Sequence, residues 1–590
     1  MPVRTDFVGK RAANRAGKIV IGTVMVALTA LVGRLVYINA KNGHTLLAQA
    51  ARQQKSVVPL KARRGLIVDS QGRIIAGTIL RQSVFADPKV IPDKDAAAKQ
   101  VAEILGVDAR EIHEDLVAAG DRRFFVLQRG ITDEQADRIR QSGVYGLGVF
   151  DEPARTYPMN SLAASIVGFV SPDGAGVSGL EHQCDEWLAG ENGVKEIIRD
   201  AGRKAFWLAD GGYRPSRDGL HLVLTLDAEI QLAAEREIEA ACKKYEAESG
   251  VAVVMHAKSG AILALVNYPG FDPNHYADYS PERYRNRALT DPAEPGSTFK
   301  PFIVAGALTE KVVSLEDTFY CEKGVWQDGK RLLHDHHPYG MLSLEDVVVK
   351  SSNIGMAKIG KKMGARMLFE YVTAFGFGQR TGIDLAGEDP GIVRPFSKWN
   401  DFSVTSIPMG QEIACTPIQA ARSFAVFANG GLLVQPHIIR AVLAADGQVV
   451  SDFSDPPALG RVIPEEIADL MKRQILTSVV RRGTGTGAAL TSHQVFGKTG
   501  TAQIARKGGG GYEKNAYVGG FVGAAPMNDP QLVVYVAIRR PNRSKGYYGG
   551  TVAAPAAREI FAHALAYLQV PGEKVESAGS LELTAGPPAD

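Results

Sequence analysis

The sequence has few cysteines and almost no net charge, and each shortage excludes a class of protein. Its 590 residues include four cysteines, which lie far apart and form no C-x-x-C pair: Cys184, Cys242, Cys321 and Cys415. This spacing excludes a zinc ribbon, a thioredoxin-like redox motif and a framework held by disulfides. The 67 basic and 64 acidic residues leave a net charge of +3. So small an excess excludes the broad basic surface of a general nucleic-acid-binding protein.

The chain also lacks a nucleotide-binding loop. Gly497-Lys498-Thr499 resembles the end of a Walker A loop, but Ser492 stands where that loop needs its first glycine. The glycine-rich stretch 483–487 does not lie between a clear strand and the start of a helix, which excludes a Rossmann fingerprint. We therefore predict neither a nucleotide nor another cofactor.

A long apolar run is present near the N-terminus. Residues 19–40 contain one charged residue, Arg34, and as a helix would span about 33 Å, enough to cross a bilayer. The charged residues among 1–18 are mostly basic. The positive-inside rule therefore places residues 1–18 in the cytoplasm and the part after the apolar run outside it. A cleaved signal peptide is the alternative, but the nearest small-x-small site, Ala48-x-Ala50, lies too far downstream. We predict a single-pass anchor in the inner (cytoplasmic) membrane, with the following domains in the periplasm.

Changes of composition divide the exported part into three regions. Residues 41–215 contain short strands, helices and turn signals, and no nucleophile there is grouped with a base, which favours a structural module. The polar, glycine-rich stretch 210–215 is the predicted linker, and residues 216–569 form the next domain. Residues 570–590 are rich in Gly, Pro, Ser and Glu, which is typical of a disordered tail.

The domain 216–569 is predicted to begin and end with strands. Apolar strands occur in two pairs joined by turns, at 250–256, 261–268, 516–523 and 531–538. The segments between the pairs are mostly helical. One helix has Thr416 as N-cap and Pro417 as its first residue, and another covers 552–568. Strands first and last with helices between them predict an α+β fold, not a βαβ array.

Ser297 has a candidate base on the same face of a predicted helix. Pro295-Gly296 marks a turn before an apolar helix, so Ser297 falls in the first helical turn and shares one face with Lys300. A serine hydroxyl needs a base to become a nucleophile, and a lysine amine serves when desolvation and nearby positive charge lower its pKa. Taken alone, Ser-x-x-Lys is a weak motif. The alternative is an N-capping serine followed by a surface lysine.

Two further motifs strengthen this interpretation. Ser351-x-Asn353 follows a helical run and can offer a hydroxyl and an amide to the same cleft, although a capping turn is the alternative. The segment 498–501 reads Lys-Thr-Gly-Thr and is predicted to be a strand, with Lys498 and Gly500 on one side and both threonines on the other. Gly500 would let a substrate approach the backbone closely.

In this order the three motifs resemble the signatures of penicillin-binding proteins and serine β-lactamases. Three other motifs resemble the non-catalytic pedestal of class B penicillin-binding proteins: Arg64-Gly65-Leu66-Ile67-Val68-Asp69, Arg155-Thr156-Tyr157-Pro158 and Gly179-Leu180-Glu181. The sequence is therefore identified as a class B penicillin-binding protein with a pedestal and a transpeptidase domain of antiparallel sheet, flanking helices and a helical subdomain. It is most similar to the septal, FtsI-type transpeptidases, because elongation-type relatives often carry Ser-x-Asp at the second motif.

The resemblance implies a penicillin-sensitive serine D,D-transpeptidase that cross-links peptidoglycan stem peptides. Ser297 would attack the penultimate D-Ala carbonyl and form an acyl-enzyme, which then passes to an amine of a neighbouring stem. Lys300 would be the base for acylation. Ser351 would relay a proton to the leaving amine, and Asn353 would hold the substrate amide.

The third motif is implied to bind the end of the D-Ala-D-Ala stem. Lys498, Thr499 and Thr501 would bind its terminal carboxylate through charge-assisted hydrogen bonds, with Gly500 between the threonines. Backbone N–H groups of Ser297 and Thr501 would form the oxyanion hole.

The implied partners are stem peptides, β-lactams, an FtsW-type glycan polymerase and other membrane proteins of the divisome. The region before residue 220 shows no paired acidic site, so strand polymerisation would need a separate enzyme. The alternatives are an elongation-type class B transpeptidase, a β-lactam sensor that is acylated once, and a division scaffold. A sensor would need a signalling apparatus in the cytoplasm, for which 18 residues leave no room. A β-lactamase would be shorter and would not need a pedestal.

The polar segment His334-Asp335-His336-His337 has two interpretations. On a strand, His334 and His336 would face together and could hold zinc with Cys321 or Asp317. Four adjacent polar residues before a proline more often form a solvated loop. We favour the loop and predict no metal.

Overall fold

The protein contains two compact units. A computed structural model describes residues 7–122, 124–199, 205–506, 508, 510–573 and 575. The described residues of Met1–Ala62 and Glu191–Arg217 form the first unit, and those of Arg63–Gly190 and Asp218–Asp590 form the second. The region 41–215 therefore contributes to both units.

The first unit consists of one long helix and a small sheet. Helix Phe7–Gln54 contains the segment Asn14–Gly43, whose most apolar part has a mean hydropathy of 2.2 and is entirely exposed. This segment includes residues 19–40 and is long and apolar enough to cross a membrane. The sheet is antiparallel, in the order Lys55–Leu60, Gly193–Arg199 and Ala205–Arg214. Its last strand covers most of the predicted linker.

A five-stranded antiparallel sheet, here called the central sheet, organises the second unit. Its strands lie in the order Ile262–Tyr268, Ser249–His256, Leu532–Arg539, Tyr512–Ala525 and Phe496–Ala505. Both predicted pairs of strands are therefore confirmed, with small shifts at their ends. The α+β fold class is confirmed as well.

Helices cover both faces of the central sheet. The strand Ser249–His256 is buried along nearly its whole length, and its alternate residues enter two different cores. Helices Ala228–Lys244 and Ala554–Tyr567 pack on one face. Helix Pro417–Ala428 packs on the other, and it begins as predicted, with Thr416 in a capping box.

A second, larger sheet joins the N-terminal part of this unit to the rest. Its strands lie in the order Val449–Asp452, Ile439–Leu443, His221–Leu224, Ile67–Val68, Ile74–Ala86 and Phe125–Ile131, with Leu147–Thr156 paired to Ile74–Ala86. Shorter strand pairs are Thr318–Tyr320 with Met341–Ser343, Val325–Asp328 with Arg331–His334, and Leu432–Leu433 with Gly460–Arg461. The remaining α-helices are Lys94–Leu105, Ala109–Ala118, Asp133–Gln141, Ala164–Val167, Gly179–Gln183, Asp185–Leu188, Arg287–Thr290, Lys300–Thr309, Leu344–Val349, Asn353–Ala374, Asp401–Ser406, Glu465–Leu470, Thr477–Arg482 and Gly549–Val552.

The three pedestal motifs meet around one carboxylate. Glu181 is completely buried, and its two oxygens lie 2.6 Å from Arg64 Nε and 2.6 Å from Arg155 Nε. Asp185 lies 2.6 Å from Arg64 Nη1, and the Tyr157 hydroxyl donates to Glu181 over 3.4 Å. Burial lowers the pKa of Arg64, but the two carboxylates outweigh burial and raise it. These five residues are called the Glu181 cluster below.

The predicted tail, residues 570–590, lies mostly outside the described residues. Where it is described, Glu573 is bound to the domain. Its carboxylate accepts hydrogen bonds from the N–H groups of Gln494 (3.1 Å), Met527 (3.1 Å) and Asn528 (2.7 Å). Residues up to Glu573 therefore belong with the preceding domain.

Candidate active site

Ser297 lies in a short 3-10 helix, Gly296–Phe299, that leads directly into helix Lys300–Thr309. Gly296 has a φ of +53°, a left-handed conformation that glycine adopts without strain. Ser297 is half-buried, whereas Thr298 and Lys300 are buried. The turn therefore presents the serine at the start of a packed helical run, as the sequence predicts.

Lys300 is completely buried and reaches the second motif. Its Nζ donates to Ser351 O over 2.6 Å, to Asn353 Oδ1 over 2.9 Å and to Ser351 Oγ over 3.1 Å. Among the described residues, no carboxylate forms an ion pair with it. Burial lowers the pKa of Lys300 to about 7 and outweighs the charge of Asp335, which acts to raise it. The amine can therefore lose its proton near neutral pH.

Ser351 stands between two lysines. It has a φ of +60°, which is uncommon for a residue other than glycine, in the turn between helices Leu344–Val349 and Asn353–Ala374. Its Oγ accepts from Lys300 Nζ and from Lys498 Nζ, each over 3.1 Å. Both amines are therefore within hydrogen-bond distance of this hydroxyl, which can pass a proton from one to the other.

Lys498 is the second completely buried lysine of the site. It lies on the strand Phe496–Ala505, the edge of the central sheet, and also donates to Thr499 O over 3.0 Å. Burial, and then the charge of Lys300, lower its pKa well below that of an ordinary lysine. A bound carboxylate would raise this pKa again, because an opposite charge favours the ammonium form.

The two threonines of the third motif have different surroundings. Thr501 lines the cleft, and its Oγ1 accepts the Gly549 N–H over 3.1 Å. Thr499 is buried, and its Oγ1 lies 2.6 Å from Thr484 Oγ1. Of the two hydroxyls, that of Thr501 is placed to meet a ligand in the cleft directly.

Gly500 lets two parts of the protein approach each other. A Cβ at this position would lie 2.8 Å from Pro295 O and 2.8 Å from Thr298 Cγ2. The absent side chain thus permits contact between the edge strand and the turn that carries Ser297. The predicted close approach of a substrate at Gly500 stays a prediction.

The cleft in front of Ser297 is a cavity of about 340 Å³. Its lining includes Ser297, Asn353 and Thr501 from the three motifs, whereas Lys300, Ser351 and Lys498 lie behind them. Sequence reasoning missed the other residues of its wall: Glu294, Gly296, His336, Met409, Gln411, Ala502, Gln503, Tyr512, Tyr517, Tyr547 and Tyr548. A larger cavity of about 890 Å³ elsewhere contains no residue of the motifs.

Asp335 is the most informative of the residues whose role at the site the sequence did not reveal. Its carboxylate accepts hydrogen bonds from Ser352 Oγ over 2.6 Å, from the Ile354 N–H over 3.1 Å and from the Asn353 N–H. It therefore caps the helix that carries Asn353 and fixes the second motif. His336 lines the cleft from the same loop, 5.8 Å from the Tyr548 ring. Within the part of the chain that the structure describes, no three His, Cys, Asp or Glu side chains are grouped to hold a metal.

Comparison with known proteins agrees with this arrangement. Residues 250–562 match the family model of the penicillin-binding protein transpeptidase domain, and residues 59–224 match that of the penicillin-binding protein dimerisation domain. Stage V sporulation protein D of Bacillus subtilis is 34% identical over 92% of this chain and 84% of its own length. The peptidoglycan D,D-transpeptidase FtsI of Escherichia coli is 30% identical over 90% of this chain and 88% of its own. The crystal structure of penicillin-binding protein 3 of Mycobacterium tuberculosis complexed with aztreonam, 28% identical, matches 88% of this chain and 98% of its own with a TM-score of 0.68.

Proposed function

Because the chain belongs to the class B penicillin-binding proteins and is a peptidoglycan D,D-transpeptidase, we propose that it forms its acyl-enzyme at Ser297 and acts at the division septum. The observation that carries the first part is the position of Lys300. A buried lysine with no carboxylate partner among the described residues lies three residues from the only motif serine that lines the cleft.

Acylation begins when the neutral Lys300 amine takes the proton of Ser297. The serine oxygen attacks the penultimate D-Ala carbonyl, and the terminal D-Ala leaves as an amine. Ser351 accepts hydrogen bonds from both lysines, which suits it to pass a proton to that amine. Asn353 Nδ2 is bound to His334 O, so its amide is held in place to meet the substrate amide.

The edge of the central sheet binds the rest of the donor. Lys498 and Thr501 bind the terminal carboxylate. Thr499, whose hydroxyl contacts that of Thr484, supports this binding from behind. An edge strand leaves alternate N–H groups without a strand partner, which suits the Thr501 N–H to an oxyanion hole shared with that of Ser297. In other acyl-transfer enzymes such a donor is worth roughly 3–4 kcal/mol.

The septal role rests on the second motif and on similarity to FtsI. The motif is Ser351-Ser352-Asn353, with asparagine where elongation-type relatives often have aspartate. The helix that contains Asn14–Gly43 anchors the protein in the inner membrane, with the basic residues 1–18 in the cytoplasm. The catalytic domain then lies in the periplasm, where an FtsW-type polymerase and other divisome proteins would supply and direct the glycan strands.

Mass spectrometry of the intact protein after brief exposure to benzylpenicillin tests the nucleophile. We expect one covalent adduct per chain, mapped to Ser297 and lost in Ser297→Ala. The fold should survive this change, because the side chain of Ser297 caps neither the 3-10 helix in which it lies nor the helix that follows. The matched control, Ser314→Ala, changes an exposed serine outside the cleft and should label normally. An adduct on any other residue would refute the assignment.

Depletion of the protein in its own cells tests the septal role. We expect long filaments without completed septa, whereas loss of an elongation enzyme would give rounded cells. A wild-type copy should restore division and a Ser297→Ala copy at equal abundance should not. Restoration by the alanine variant would favour a scaffold, and rounded cells would favour the elongation role.

A further inference from the structure

Glu294 lines the same cleft as Ser297 and has no cationic partner among the described residues. It is half-buried. Its Oε1 accepts the Glu412 N–H over 3.0 Å, and its Oε2 accepts the Tyr512 hydroxyl over 2.9 Å. Two neutral donors therefore fix the carboxylate, while no lysine or arginine in the described part of the chain pairs with it. A half-buried carboxylate without a counterion is costly, which calls for an explanation.

The charged side chains nearest to Glu294 form their contacts with other groups. Glu412 forms an ion pair with Arg394 and also accepts from Ser403 Oγ over 3.0 Å. Arg331 lies behind the cleft wall and donates to Gln411 Oε1 over 3.2 Å and to two hydroxyls. Burial raises the pKa of Glu294, and the hydrogen bonds from the Glu412 N–H and the Tyr512 hydroxyl oppose this only in part. Glu294 is thus the carboxylate of the cleft that remains available for a cation.

Acidic and basic side chains both lie at the cleft, since Glu294 lines it and Lys498 lies behind its motif residues. The lysine of the third motif, Lys498, contacts Ser351 behind the cleft and suits the anionic terminus of the donor stem. We infer that Glu294 forms a subsite for the acceptor stem, where it binds the primary ammonium group that attacks the acyl-enzyme. This inference rests on the proposed acyl-enzyme at Ser297.

The reaction at this subsite balances without a further reagent. The acceptor ammonium gives one proton to the Glu294 carboxylate and becomes a neutral amine. Its nitrogen attacks the carbonyl carbon of the Ser297 ester, so that a C–N bond forms and the C–Oγ bond breaks. The second proton of the amine passes to Ser297 Oγ through Lys300, and Glu294 releases its proton to water.

Partition of the acyl-enzyme between water and an added nucleophile tests the subsite. The full-length protein is acylated with an N-acyl-D-alanyl thioester, and the ratio of aminolysis to hydrolysis is measured with meso-diaminopimelate or with hydroxylamine. The first carries ammonium groups, and the second is mostly uncharged at neutral pH. In Glu294→Gln we expect the ratio for diaminopimelate to fall about tenfold, since a charge-assisted contact is lost. The ratio for hydroxylamine should change by less than about twofold.

The matched control is Glu412→Gln, which removes a nearby carboxylate bound to Arg394 and keeps the backbone N–H bound to Glu294. Both of its ratios should stay close to those of the wild type. If Glu294→Gln forms no acyl-enzyme, Tyr512→Phe replaces it, and the diaminopimelate ratio should fall about threefold because the carboxylate is less firmly held. Unchanged ratios, or equal losses with both nucleophiles, would overturn the subsite. Absence of any acyl-enzyme in the wild type would instead overturn the proposed function.

Discussion

The Glu181 cluster and the two lysines behind the cleft both bury charged side chains in the second unit, but only the Glu181 cluster is balanced by opposite charges. In the Glu181 cluster, both arginines contact carboxylate oxygens at 2.6 Å. In the cleft, Lys300 and Lys498 are completely buried, and no carboxylate of the described residues pairs with either. The pKa values of the buried cations therefore shift in opposite directions in the two places. The paired Arg64 keeps its proton more firmly, whereas both lysines are more easily deprotonated.

The difference separates charged groups that stabilise the fold from charged groups that take part in catalysis. The arginines and carboxylates of the Glu181 cluster pair with one another, so the cluster holds three distant segments of the chain together. Unpaired ammonium groups cost stability, and such groups concentrate at sites where a shifted pKa is useful. Ser351 connects the two lysines and does not neutralise them, which keeps both amines responsive to a bound ligand.

The largest effect is expected when Lys300 is given a permanent charge. In Lys300→Arg, the rate of acylation by penicillin should fall about a thousandfold, nearly as far as in Lys300→Met, because a guanidinium does not release its proton near neutral pH. In the wild type the rate should rise as the pH increases through about 7, since the lowered pKa leaves the amine protonated below that value and neutral above it. In both variants this rise should disappear.

The rate constants can be measured with a fluorescent penicillin between about pH 5.5 and about pH 9. The control, Lys358→Arg, changes a lysine that already pairs with Glu322 and should leave the rate unchanged. Rapid acylation by Lys300→Arg would mean that Lys300 supplies only a positive charge, and the contrast with the arginines of the Glu181 cluster would vanish.

The sequence predicts local features of this site better than contacts between distant segments. The three motifs, their order and the capped helix at Thr416 are readable because each depends on neighbouring residues. Asp335 was assigned to a solvated loop, since nothing in the spacing shows that its carboxylate caps a helix beginning at Asn353. The contact between Thr499 and Thr484 was missed for the same reason, because only the folded chain brings them together.

The smaller effect is expected in the balanced cluster, where charge affects stability and not chemistry. Glu181→Gln leaves Arg64 and Arg155 buried with one carboxylate fewer, and breaking such a pair costs about 3–5 kcal/mol. Denaturation in urea should therefore occur at a clearly lower concentration. The control, Glu370→Gln, breaks an exposed pair with Arg366 and should cost less than about 0.5 kcal/mol. The protein that remains folded should be acylated by penicillin at the wild-type rate, because the cluster contains none of the cleft residues. A large loss of that rate at unchanged stability would mean that the Glu181 cluster and the two lysines are coupled and that the division between structural and chemical charge is wrong.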